Sequence, residues 1–251
     1  MTDIFDQRAV ADTGAGEYGA SGDMKKTQYL LQLLGMASCA DTLKCILAAA
    51  EQGMEMNCGS LEAADLNSGE FTSVSSFGMA PALKEKDFFT AGARAIIEFI
   101  NARGLGYSLI PKNATLAAEQ ETWVDKACTE DVASALAMLT DEIKGQGGDA
   151  ASAKAKLEPA LNELNDQLAK DKFIVGKNYS MADVHWTAVI HLISVSSAAD
   201  LIESRANIKN WFASIHDKKS NCGQAVKAAT LLPTVEDIKS NKLNNVVIDD
   251  F

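Results

Sequence analysis

The sequence predicts two folding units in series, an α/β domain followed by an all-α helical bundle. Two observations predict this. Short apolar runs alternate with helical stripes over the first hundred residues, and alternation of that kind builds a small sheet packed by helices. After Pro111 the strand signals stop, and helical periodicity dominates from about 113 to 230.

Residues 1–26 form an arm rich in Gly, Ala and Asp, without apolar periodicity, and read as flexible. The run "TQYLLQLLGM" (27–36) is short, apolar and closed by glycine, which suits a buried strand. "ADTLKCILAAAEQG" (40–53) places Leu43, Ile46, Leu47 and Ala50 on one helical stripe, with Asp41 or Ser38 as a start cap and Gly53 as its end. "MEMNCGSLEA" (54–63) is a second, poorer strand. Residues 70–85 hold strand-like residues around the step Met79-Ala80-Pro81, and a helix spans 92–103 to Gly104.

Beyond Pro111, residues 117–143 read as one long helix or two, broken from the next by "GQGGDA" (145–150). Leu157, Leu161, Leu164 and Leu168 make 152–170 amphipathic. Residues 180–197 are apolar nearly all round, as in a buried central helix, and 207–219 are again amphipathic. The expected divisions are 1–26 (arm), 27–104 (α/β domain), 112–230 (helical domain) and 231–251 (polar tail).

The composition excludes several classes. A net charge of -11 repels nucleic acid and anionic membrane surfaces. No apolar run approaches the roughly 18–20 residues of a membrane span. The N-terminus has neither the apolar core of a secretory signal nor the arginines of a transit peptide, which suggests a cytoplasmic address, with a plastid or other organelle interior as the alternative. Five cysteines without CxxC spacing read as reduced thiols, and His185 and His191, six apart on a helix, do not form a metal site.

Several patterns together resemble the glutathione transferase superfamily. "MAPAL" (79–83) is similar to its Val-Pro-x-Leu segment, "RAIIEFI" (94–100) to its third helix, and residues 161–186 to its leucine helix, Phe-x-x-Gly turn and Ser-x-Ala-Asp box. "NIKNWFASI" (207–215) is similar to the helix that carries its tryptophan, here Trp211. The likeness covers roughly 27–220 and implies a thioredoxin-like N-terminal domain with a cis proline at Pro81, followed by a glutathione-transferase-type helical bundle. In the box, Ser180 caps a buried helix and Asp183, three residues on, reaches back to free backbone N–H groups. Ser180, Asp183 and Trp211 are therefore expected to serve structure.

The resemblance also implies where glutathione would lie. Its cysteine would pair with the backbone at Ala80, before Pro81. Its γ-glutamyl carboxylate would meet the start of the 92–103 helix, where the family carries an acidic residue and a serine and this chain carries Gly92 and Ala93. Main-chain amides persist there, but the side-chain grip is gone. Two lost charge-assisted hydrogen bonds, at roughly 1.5–3 kcal/mol each, weaken binding by about two to four orders of magnitude. The hydroxyl or thiol that would face the glutathione sulfur is Ser38 or Cys39, at a helix start.

The expected function is thus a non-catalytic, glutathione-transferase-like binding or linker subunit of a larger protein assembly. It would use no cofactor, and its arm and its "NNVVIDDF" tail would be attachment segments, as in superfamily members that serve as crystallins or as subunits of translation assemblies. The alternative is a glutathione-dependent transferase or thiol oxidoreductase using Ser38 or Cys39. A homodimer is compatible with both.

Overall fold

The computed structural model describes residues 31–75, 78–216 and 231–247. Strand β1 (Leu31–Gly35) leads into helix α1 (Ala40–Glu51) and returns as β2 (Met56–Ser60). A 3-10 turn at Ala63–Asn67 and the short helix α2 (Gly69–Val74) follow, then the strands β3 (Ala82–Glu85) and β4 (Phe88–Ala91) and helix α3 (Ala93–Arg103). The sheet order is β2-β1-β3-β4, with β1 parallel to β2 and antiparallel to β3. This is a thioredoxin-like topology, and the Ala80–Pro81 peptide bond before β3 is cis.

Alternation along the strands divides the core. Leu31, Leu33 and Leu83 point toward α1 and α3, while Leu34 and Ala82 join Leu61 and Phe71 on the α2 face. The sequence predicts one strand within 70–85. Instead, 69–74 is helical, capped by the Ser68 hydroxyl, and the region ends in a hairpin whose two-residue turn, Lys86-Asp87, puts Lys86 at φ 54. Strand β4 escaped notice because it has only four residues, none of them buried. The expected start cap of α1 differs, while Gly53 terminates the helix as expected. Cys39 holds the N-cap position without a side-chain bond, and Gln52 ends the helix just before Gly53, which adopts φ 64.

The helical domain comprises α4 (Ala114–Ala127), α5 (Glu130–Ile143), α6 (Ala150–Gln167), α7 (Met181–Ser194), α8 (Asp200–Glu203) and α9 (Ala206–His216). Residues 117–143 thus form two helices, parted where the Thr129 side chain caps α5 by accepting from the Val132 amide. Helix α7 runs through the centre, buried from Met181 to Ile193, and packs against α1 and α4 from different domains. The Trp186 indole donates to the Trp123 carbonyl at 3.0 Å, with the two rings edge to face.

Asp183 holds the start of α7. Its Oδ2 accepts from the Ser180 amide (3.0 Å) and hydroxyl (2.9 Å), and its Oδ1 from the Ile174 amide (3.1 Å) and the Trp211 indole of α9 (3.0 Å). Burial pushes this carboxyl up to about 6, against the pull of those four donors.

The tail is not a free extension. Residues 235–239 form α10 (Val235–Lys239), anchored by a Thr234–Asp237 capping box. The chain then crosses back to the first domain. Val246 bridges Met56 on the β2 edge, and the Asn245 Oδ1 accepts from the Cys58 amide at 2.8 Å. Asn241, at φ 52, accepts from the Ala37 amide (3.0 Å) and donates to the Leu61 carbonyl (2.8 Å). Of the tail expected over 231–251, with "NNVVIDDF" (244–251) as an attachment segment, the described part is engaged by the chain's own first domain, and its side-chain amides close an otherwise open sheet edge. The arm and residues 217–230 and 248–251, Cys222 among them, lie outside the described residues.

Two substitutions test these anchors. Asp183→Asn keeps the shape but sets an amide N–H₂ against donors, and should cost about 3 kcal/mol or more in urea unfolding. Asn241→Ala strands the Ala37 amide and the Leu61 carbonyl and should cost about 1–3 kcal/mol; an unchanged unfolding midpoint would show that the tail does not secure the sheet.

Candidate functional site

The loop from β1 to α1 is tied down at several points. The Met36 amide donates to the Thr42 Oγ1 at 3.1 Å, the Ala37 amide to Asn241, and the Cys39 amide to the Met36 carbonyl at 3.0 Å. Ser38 is left half-buried at the start of α1. Its hydroxyl oxygen accepts from the ammonium of Lys144, which ends α5, at 2.9 Å. Cys39 is also half-buried, and its thiol is free.

The second wall comes from the cis-proline turn. Ser75 bonds both the amide and the carbonyl of Met79, and the Gly92 amide donates to the Pro81 carbonyl at 2.8 Å. Gly92 is the N-cap of α3, at φ 87 and ψ 134, and Ala93 is its first residue. That φ favours glycine, and a Cβ there would stand 2.9 Å from the Met79 methyl carbon. A glutamate introduced at Gly92 would therefore meet backbone strain as well as a neighbour.

A cavity of about 410 Å³ lies between the two domains, walled by α1, α3, α4 and α7. Gly92 and Ala93 line it; Ser38, Cys39, Ala80 and Pro81 do not. The cavity thus takes in the predicted carboxylate anchor but not the predicted reacting groups. It also adds residues that the sequence reading passed over. Lys44, only 3 % exposed, reaches the cavity from the otherwise apolar face of α1. Its ammonium is 2.7 Å from the Asp41 carboxylate and 3.5 Å from the thiol of Cys128, which ends α4. Burial pulls the Lys44 pKa down, but Asp41 and Cys128 together raise it above its ordinary value. A lone lysine within an apolar helical stripe was the available signal. Its thiol neighbour is 84 positions away and left none.

His185 stands on α7, and its Nδ1 lies 2.9 Å from the Met181 carbonyl. Nδ1 must donate there, which leaves Nε2 as an acceptor. Burial, then the charge of Lys44, hold the imidazole down at about 4, so it is neutral at pH 7. On the outer rim, Arg94 pairs with Glu98 and Glu121. No group of three potential metal ligands exists among the described residues, and no described helix is long and apolar enough to cross a membrane.

Sheet order, cis-proline turn and central capped helix define a specific architecture, and known proteins share it. Glutathione S-transferase F12 of Arabidopsis thaliana is 24% identical over 203 residues, covering 76% of this chain and 95% of that protein. The chain resembles glutathione transferases at low identity along most of its length. Among solved structures, glutathione transferase F7 from Populus trichocarpa matches with a TM-score of 0.67 at 23% identity, covering 80% of this chain and 98% of its own. A glutathione S-transferase-I bound with lactoylglutathione matches with a TM-score of 0.69 at 20% identity, over 80% and 99% of the two chains. No family profile matches the sequence.

The buried imidazole gives a pH prediction. His185 has a lowered pKa in the folded chain, so the unfolded chain binds the extra proton between about 4 and 6.5, and stability falls as pH drops through that window. Asp183, with its raised pKa, acts in the opposite sense, but it is present in both wild type and a His185→Leu variant and cancels between them. Wild type should lose up to about 3 kcal/mol relative to His185→Leu from pH 6.5 to 4. Parallel urea curves at the two pH values check this, and a constant difference would refute it.

Proposed function

We propose that this chain binds a glutathione-class thiol in the cleft between its domains and that Ser38 directs the thiol sulfur. The observation that carries this reading is the 2.9 Å hydrogen bond from the Lys144 ammonium to the Ser38 hydroxyl oxygen at the start of α1. With one lone pair so occupied, the hydroxyl hydrogen is free to donate to sulfur. The lysine charge and the amide dipoles at the helix start both favour a thiolate over a thiol. A thiolate held there can attack an electrophile, which is transferase chemistry. The cysteine backbone of the ligand would pair at Ala80, before Pro81. Its γ-glutamyl carboxylate would rest on the α3 amides at Gly92 and Ala93, with the Lys44 charge in the same cavity. Cys39 offers a second chemistry, exchange with disulfides, from the same helix start.

Gly92 and Ala93 favour a second reading: a non-catalytic binding or linker subunit of a larger protein assembly, with no cofactor. Because residues 241–247 are engaged by the chain's own sheet, attachment would then fall to the arm, 1–26, and to 248–251. A homodimer and a cytoplasmic or plastid address fit either reading.

One set of measurements separates them. The enzyme reading expects conjugation of a generic electrophile with weak, sub-millimolar to millimolar affinity for glutathione. Ser38→Ala and Lys144→Met should each lower turnover by about tenfold or more. The assembly reading expects no turnover and no retention on immobilised glutathione. It also expects a co-purifying protein that is lost when residues 1–26 are deleted.

A further inference from the structure

Cys128 ends helix α4 in an exposed position on the cavity wall. Its sulfur faces the buried ammonium of Lys44 at 3.5 Å, across the boundary between the two domains. A lysine this deeply buried needs counter-charge. Asp41 supplies one, and the Cys128 sulfur accepts from the same ammonium. The cavity also contains an independent sign of a ligand. His185 is 6 % exposed and lines it, and with Nδ1 engaged by Met181 its acceptor Nε2 has no hydrogen-bond partner among the described residues. A cavity of about 410 Å³ is large enough for a small molecule. Its outer wall carries Glu98, Glu121 and Asp125 against the single exposed cation Arg94, so it favours a ligand bearing positive charge.

We propose that Cys128 is a thiol–disulfide exchange site for small, ammonium-bearing disulfides. The Cys128 thiolate attacks one sulfur of the incoming disulfide. A new S–S bond forms to Cys128 as the old one breaks, and the departing thiolate takes a proton from solvent. Cys128 is thereby oxidised to a mixed disulfide, and the other half of the ligand is reduced to a thiol. Lys44 is the counter-ion of the attacking sulfur and keeps Asp41 as its partner once that charge is consumed. The His185 Nε2 accepts a hydrogen bond from the ligand's ammonium group. The proposal uses a different thiol from the Ser38 reading but shares with it the cavity lined by Gly92, Ala93 and Lys44, so bound glutathione should slow the reaction at Cys128 without being needed for it.

The test uses the reduced full chain with cystamine, which is cationic, and 3,3′-dithiodipropionate, which is anionic. Adducts are followed by intact mass and located by peptide mapping. Cys128 should be the first cysteine modified, with cystamine reacting about tenfold faster than the anionic probe. Lys44→Met should slow modification at Cys128 by about tenfold and leave Cys39 unaffected. Should that variant misfold, wild type in denaturing urea provides the second arm: the lead of Cys128 over Cys39 should vanish there. Modification of Cys39 or Cys222 while Cys128 stays a free thiol would overturn the proposal. So would an unchanged rate in a folded Lys44→Met variant, or a Cys128 lead that persists in urea.

Discussion

The buried carboxylate of Asp183 is the constraint on which the rest of the structure depends. A central helix with almost no exposed residue brings its bare N-terminal amides into the core, where water cannot satisfy them. Ser180 and Asp183 satisfy them from within the helix start, and Asp183 also recruits the Ile174 amide and the Trp211 indole. One carboxylate therefore fixes the rotation of α7, the turn before it and the placement of α9. Rotation is what matters for the cleft. It turns Met181 and His185 toward the cavity and Trp186 toward Trp123 of α4. An apolar side chain at 183 could fill the space but could not set the angle.

The two domains are joined by more than the linker. Helix α7 packs on α1, Lys144 of α5 reaches Ser38, and Cys128 of α4 meets Lys44. The returning tail adds a further connection. Asn241 bonds the Ala37 amide, one residue before Ser38, so the end of the chain helps to hold the loop on which the proposed chemistry rests. His191 of α7, whose Nε2 lies 2.8 Å from the Pro233 carbonyl, ties the origin of that tail to the same central helix. Core helix, reacting loop and tail thus form one mechanical unit, with their geometry set jointly.

Much of this was legible in the sequence because it is encoded locally. The Ser180–Asp183 box, the strand–helix–strand opening and the Met79-Ala80-Pro81 step each use residues within a few positions of one another, where spacing alone carries the message. Strand β4 was too short and too exposed to show a period. The tail was illegible for another reason. Val246 pairs with Met56 and Asn241 with Ala37, separations of about two hundred residues, and "NKLNNVV" has the composition of a loop until a sheet edge is placed beside it. The Lys44–Cys128 pair is of the same kind: each half was visible, but the contact was not.

Gly92 shows how the structure changes the meaning of a sequence observation. In the sequence, glycine there is a missing side chain, a grip removed. In three dimensions it is also a backbone position at φ 87 hydrogen-bonded to the Pro81 carbonyl, with the Met79 side chain closing over it. A side chain at that position would carry strain of about 1–3 kcal/mol, which its own contacts to a ligand would have to exceed. Glycine removes such a contact and its strain together, so under the proposed binding mode the change in affinity would be smaller than the lost hydrogen bonds alone would give. At Ala93, the position where the resemblance implies a serine, no such compensation would apply, since Ala93 lies within regular helix. If glutathione binds as proposed, Ala93 is therefore the position whose missing hydroxyl counts at full value.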